Sequence, residues 1–126
     1  MLAKDSKILV VDDMKMVRKS IIRYLHALGY DDVIEASNGA EAIAKIRVGA
    51  VKFVFLDIVM PTLTGDEALI KIRELDPDLP VAILSSVTDD NVVMACKAQK
   101  IVGYILKPID AESGPQRLSK ALTRVA

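Results

Sequence analysis

The chain has one cysteine, one histidine, no excess charge of either sign and no long apolar run, and each shortage removes a class of protein. Cys96, alone and set among apolar neighbours, cannot make an internal disulfide and fits a reducing compartment. The 17 basic and 17 acidic residues cancel, so there is no electrostatic footprint for binding nucleic acid or an anionic membrane. No apolar stretch approaches the roughly 20 residues that cross a bilayer. Met1 to Lys7 lacks the apolar core of a signal peptide. Together these shortages lead us to expect a cytoplasmic protein. His26 falls inside a helical pattern, where a partly exposed surface residue is a better reading than a ligand or a phosphorylated group.

What is present is the mixture of a globular protein, 52% hydrophobic and 27% charged, in 126 residues that suit one domain. Its most informative stretch is Lys52 to Pro61. Phe53-Val54-Phe55-Leu56 is a short apolar run of the kind buried on both faces of a parallel sheet, and it runs straight into Asp57. A lone buried carboxylate is costly, so other groups must meet Asp57. Ile8 to Val11 is a similar run ending in Asp12-Asp13. Val81 to Leu84 ends in Ser85, and Val102 to Leu106 ends in Lys107-Pro108. Val33-Ile34 makes a short, weaker strand, second in chain order, and Val102 to Leu106 is the fifth.

Helical spacing connects these strands. Val17, Ile21, Leu25 and Leu28 recur before Gly29; Ala40, Ile43 and Ile46 before Gly49; Leu69, Ile72 and Leu75 before Asp76-Pro77. A fourth helix carries Val92, Val93 and Cys96, with Asp89 or Asp90 as its cap. Pro115 belongs in a first helical turn, which places the last helix at 115–124 with Gly114 or Ser113 as cap. Five strands alternating with five helices predict an α/β fold: a three-layer, doubly wound parallel sheet with helices on both faces.

In such a sheet all strand carboxyl ends share one edge, so Asp12, Asp13, Asp57, Ser85 and Lys107 can converge. Three carboxylates within about 4 Å repel by on the order of 4 kcal/mol per pair at an effective dielectric near 20. A hard divalent cation relieves that repulsion, and magnesium suits carboxylates that share it with phosphate oxygens. Lys107 adds a positive charge and Ser85 a hydroxyl donor. The set describes an aspartyl nucleophile prepared for phosphoryl transfer.

With these residues in order, the chain resembles the CheY-like receiver domains of two-component response regulators. The matching residues are Asp12-Asp13, Asp57-Ile58-Val59-Met60-Pro61 with Gly65, Ser85, and Gly103-Tyr104 followed by Lys107-Pro108. The resemblance spans essentially residues 1–126 as a single receiver domain. It implies a flavodoxin-like strand order 2-1-3-4-5 and a signalling switch rather than an enzyme. It further implies that Asp57 is the phosphoacceptor, served by a sensor histidine kinase or phosphotransfer protein. Magnesium (or manganese) would be held by Asp13, Asp57 and the Val59 carbonyl, with Asp12 acting mainly through water. Lys107 would hold the phosphate, Ser85 and Tyr104 would form the switch pair, and Lys107-Pro108 would be cis. A downstream effector protein would dock on the fourth helix, fifth strand and fifth helix, with no nucleic acid or membrane involved.

Each of these features taken singly has a plainer explanation: Asp12 and Asp13 as helix caps, Pro61 and Gly65 as loop residues, Tyr104 as an edge aromatic. Their joint occurrence at the right strand ends favours the receiver. Two alternatives fit less well. A small aspartate-dependent phosphatase would carry a second carboxylate two residues after its nucleophile, where this chain has Val59. A nucleotide or flavin binder needs a phosphate loop after the first strand, where Asp12 and Asp13 would repel the ligand. The apolar Val59 and Val87, and the irregular stretch Asp110 to Pro115, depart from the family pattern.

Overall fold

The Phe53 to Leu56 run is the centre of the protein, and all four of its side chains are fully buried. They lie in the middle strand of a five-stranded sheet in a computed structural model that describes residues 1–59, 65–86 and 90–125. The elements alternate strictly: β1 (Lys7–Val11), α1 (Lys15–Ala27), β2 (Val33–Ala36), α2 (Gly39–Val48), β3 (Val51–Asp57), α3 (Gly65–Leu75), β4 (Val81–Ser85), α4 (Asp90–Lys97), β5 (Gly103–Leu106) and α5 (Gly114–Thr123). All strand pairs are parallel, in the order β2-β1-β3-β4-β5, as the resemblance implied.

The two faces of the sheet are sorted by strand periodicity, since successive side chains point to opposite sides. Leu9, Val11, Val54, Leu56 and Ile83 join Ala42, Ile43 and Ile46 of α2, Ala68, Leu69 and Ile72 of α3, and Cys96 of α4. Ile8, Val10, Phe53, Phe55, Ala82 and Leu84 join Ile21, Tyr24 and Leu25 of α1 and Leu118, Ala121 and Leu122 of α5. A fully buried Val, Leu, Ile or Phe among these contributes roughly 1.5–3 kcal/mol.

Element ends differ from the sequence reading where a polar residue interrupts the pattern. β3 begins at Val51 rather than Phe53, because a register irregularity opposite Lys7 and Ile8 turns Lys52 out to solvent without ending the strand. β2 runs on to Ala36. α5 occupies Gly114–Thr123 rather than 115–124, with Pro115 in the first turn as expected. Its cap is Ser113, but the Ser113 hydroxyl and N–H both donate back to the Asp110 carboxylate, at 2.9 and 2.7 Å. Gly114 is required there: a Cβ would lie 2.8 Å from Tyr24 Cε2 and 3.1 Å from Ile109 Cγ2. Asn38 caps α2 by accepting from the Glu41 N–H at 2.8 Å, and Gly29 and Gly49 leave α1 and α2 at φ +96° and +99°. Met60, Pro61, Val87 and Asp89 lie outside the described residues.

Candidate acidic site at the sheet edge

Strand register alone brings the chemistry together. Val11 is level with Leu56, Asp57 with Leu84, and Ser85 with Leu106, so the residues following β1 and β5 meet the last residues of β3 and β4. Alternation then divides them. Asp12, Asp57 and Lys107 continue the side that faces α1 and α5, whereas Ser85 and Tyr104 continue the Ile83 side that faces α2 to α4. Tyr104 is half-buried and packs against that second face; Ser85 is fully buried.

Asp12, Asp13 and Asp57 each place a carboxylate oxygen within 4.8 Å of the others. Asp12 and Asp57 are buried, and Asp13 is exposed. Lys107 Nζ reaches back from the end of β5 to Asp12 Oδ2 at 2.7 Å and Asp57 Oδ1 at 3.5 Å. The Lys107–Pro108 bond is cis, as expected. Asp12 Oδ1 accepts from the Met14 N–H at 2.9 Å, a tight turn that leads into α1 without a side-chain cap on the helix itself. Asp57 Oδ1 accepts from the Val59 N–H at 3.2 Å. Burial pushes the Asp57 carboxyl from 3.8 up to about 6; the Asp12 charge adds to the rise, Lys107 and the Val59 N–H oppose it, and Asp13 adds a smaller upward push.

This arrangement fits a divalent cation. One ammonium among three carboxylates leaves a net negative pocket of hard oxygen donors. Asp12 Oδ2 is buried and, among the described residues, lacks a donor in hydrogen-bond geometry, the lysine being close but poorly aligned. An oxygen in that state gains from a cation or its bound water. The sequence reading missed two residues here. Arg18 Nη1 donates to the Asp12 carbonyl at 2.7 Å, and its Nε donates to Glu35 on β2 at 2.9 Å. Helix spacing marked only the apolar face of α1, and no local signal pairs Arg18 with a strand residue 17 positions on.

Val59 is 57% exposed at the mouth of the pocket. Beside Lys107 a groove of about 360 Å³ runs between α1 and the chain after β5, lined by Met16, Val17, Ile21, Pro108 and Ile109 among others. A smaller groove of about 220 Å³ between β5 and α5 is lined by Tyr104, Arg117, Lys120 and Arg124. There Arg117 donates to the Leu106 and Pro108 carbonyls and Arg124 to that of Val102, covering the open edge of the sheet. His26 is exposed on α1. Among the described residues no helix is long and apolar enough to cross a membrane.

A 2-1-3-4-5 parallel sheet carrying a carboxylate cluster and a lysine at its carboxyl edge defines a CheY-like receiver module. Residues 8–119 match the family model for the response regulator receiver domain, and the chain belongs to that family. It is therefore a phosphoacceptor component of two-component signalling. The chemotaxis protein CheY-3 of Vibrio cholerae is 31% identical over 126 residues, covering 98% of this chain and 97% of its own. Among solved structures, CheY4 of Vibrio cholerae superposes with a TM-score of 0.85 at 30% identity, covering 97% of this chain and 99% of that one. A CheX–CheY complex with BeF3 and Mg from Borrelia burgdorferi gives 0.82 at 28% identity, covering 90% of this chain and 86% of the matched one.

Proposed function

We propose that residues 1–126 form a single receiver domain whose Asp57 accepts a phosphoryl group from the phosphohistidine of a sensor kinase or phosphotransfer protein. The observation that carries this reading is the position of Lys107, whose ammonium lies within 4 Å of both buried carboxylates at the pocket floor. In the proposed reaction an Asp57 carboxylate oxygen attacks phosphorus, the bond from phosphorus to the donor nitrogen breaks, and the electron pair leaves with the imidazole. Lys107 is then drawn from the carboxylates to the new phosphate oxygens, and the Ser85 hydroxyl donates to another. Asp13, Asp57 and the Val59 carbonyl would hold magnesium (manganese substituting), with Asp12 acting through water, and the bound ion would supply neutralisation of charge on the phosphoryl oxygens. Magnesium and BeF3 accompany the related CheY of the CheX complex, which supports this assignment.

Ser85 and Tyr104 share one face of the sheet, so movement of Ser85 toward the phosphate changes the space that Tyr104 occupies. The effector-binding face is then the one formed by α4, β5 and α5, where Arg117, Lys120 and Arg124 line the groove beside Tyr104. The protein assists its own phosphorylation and dephosphorylation but acts as a switch, and its place is the cytoplasm. Incubation with acetyl phosphate and magnesium, followed by intact-mass measurement, tests the central claim. Wild type is expected to gain one phosphoryl group and Asp57→Asn none; equal uptake by the variant overturns the assignment.

A further inference from the structure

We propose that Arg18 is a positioning residue for the acidic pair, fixing the peptide unit between Asp12 and Asp13 and thereby the direction from which the Asp13 carboxylate meets a cation. The inference rests on the magnesium reading above and goes beyond it in naming what holds the exposed ligand in place.

Among the described residues, the Asp13 side chain makes no hydrogen bond or ion pair, and it is exposed. The other two carboxylates are each fixed by a backbone N–H and by Lys107. What orders Asp13 must therefore act through its backbone. The Asp12 carbonyl oxygen and the Asp13 nitrogen and Cα lie in one rigid plane. Arg18 grips that oxygen at 2.7 Å, while the Asp12 N–H donates to the Ala36 carbonyl at 3.1 Å. The guanidinium is itself braced. Its Nε donates to Glu35 Oε1 at 2.9 Å, and the two side chains are only 14% and 28% exposed. Lys19 binds the other Glu35 oxygen at 2.7 Å, and Lys45 donates to the Glu35 carbonyl, so the brace is anchored to the sheet. The donors hold the Glu35 carboxyl below its usual range, Lys19 foremost and Arg18 with it.

The sign of the effect separates positioning from charge. As a nearby cation, Arg18 opposes a second cation, and its removal would tighten magnesium binding. As a clamp on the Asp12–Asp13 peptide it favours binding, and its removal loosens it. Lys19 is the matched control, since it carries the same charge and the same Glu35 contact without touching Asp12.

The experiment is calorimetric titration of magnesium chloride into the full chain at neutral pH, repeated with manganese, for wild type, Arg18→Met, Arg18→Lys and Lys19→Met. Circular dichroism in chelator establishes that each is folded. Loss of a partner supporting a metal ligand typically costs 10- to 100-fold in affinity, and we expect about tenfold for Arg18→Met because only one ligand is released. Arg18→Lys should also bind more weakly, since one ammonium cannot bridge the Asp12 carbonyl and Glu35 as a guanidinium does. Lys19→Met, which leaves both Arg18 contacts in place, should weaken binding less than Arg18→Met does. Arg18→Met or Arg18→Lys at wild-type affinity or tighter overturns the positioning role, as does equal loosening in Lys19→Met. Absence of magnesium binding by wild type overturns the metal reading and this inference together.

Discussion

Replacing Asp57 by asparagine should make the metal-free protein more stable, by an amount that grows with pH. Burial, helped by the Asp12 charge, raises the Asp57 carboxyl from 3.8 to about 6. A native pKa above the unfolded one means that the folded state binds this proton more tightly. The contribution to stability is therefore complete below the unfolded pKa, shrinks as pH rises through about 6, and stays lost above it. At about 1.4 kcal/mol per pH unit, the full interval corresponds to about 3 kcal/mol. The pocket opens to solvent at Val59 and Asp13, so screening makes this figure an upper bound. The attraction of Lys107 at 3.5 Å is already inside the balance, and it fails to offset burial and the neighbouring charge.

Asparagine keeps the size of the side chain and an oxygen to accept from the Val59 N–H, while discarding the charge. Urea unfolding in the presence of chelator, followed by circular dichroism, gives the comparison. The variant should exceed wild type by up to about 3 kcal/mol near pH 7.5 and by roughly half as much near pH 5. The difference between the two pH values is the decisive quantity, because any packing effect of the substitution is the same at both. A gap that is constant with pH, or that narrows as pH rises, refutes the reasoning. Magnesium should then stabilise wild type more than the variant and narrow the gap, since a ligand that binds only the folded state adds RT ln(1 + [L]/Kd).

Three other outcomes are expected. Structures with and without beryllofluoride should differ at Ser85 and Tyr104, Ser85 approaching the phosphate mimic and Tyr104 turning inward; identical positions reject the switch. Phosphorylated wild type should lose phosphate more slowly than a Val59→Asn, Val87→Glu variant, because the receiver resemblance implies that both positions adjoin the phosphoryl group, where apolar residues offer an incoming water no hydrogen bond; equal or longer retention by the variant rejects water exclusion. Gly114→Ala should destabilise by about 1–3 kcal/mol in urea unfolding, because the added methyl group would sit 2.8 Å from the Tyr24 ring and a better helix former recovers at most about 1 kcal/mol. A neutral or stabilising result would mean that the Tyr24 ring yields freely.

The sheet was readable from the sequence because its physical causes are local. Runs such as Val10-Val11 and Phe53 to Leu56 are too apolar and too short for anything but strands buried on both sides, and the helices between them leave parallel pairing as the solution. Convergence of the acidic residues with Lys107 followed from the same facts, as every strand in a parallel sheet delivers its last residue to one edge. The errors sit where a local cue is ambiguous. Lys52 reads as a strand boundary, yet it is accommodated by a register shift. Pro115 marks a first turn without saying which neighbour starts it.

What could not be read is anything that depends on register between elements distant in sequence. Alternation separates Asp12, Asp57 and Lys107 from Ser85 and Tyr104, but only once Val11 is known to lie level with Leu56 and Ile83 with Tyr104. Arg18 is the clearest case. On a helix whose apolar stripe is Val17, Ile21 and Leu25, it counts as a surface charge, and Glu35 counts as one more polar residue in a weak strand. The pairing of Val10 with Glu35 sets that carboxylate beside the end of β1, within reach of the first turn of α1. A guanidinium fixed there can hold the Asp12 carbonyl while leaving both carboxylates open to a cation. The candidate site therefore has two layers: groups at strand ends, whose residue types declare them, and the proposed brace of Arg18 and Glu35, which read as ordinary surface charges until the strands have paired.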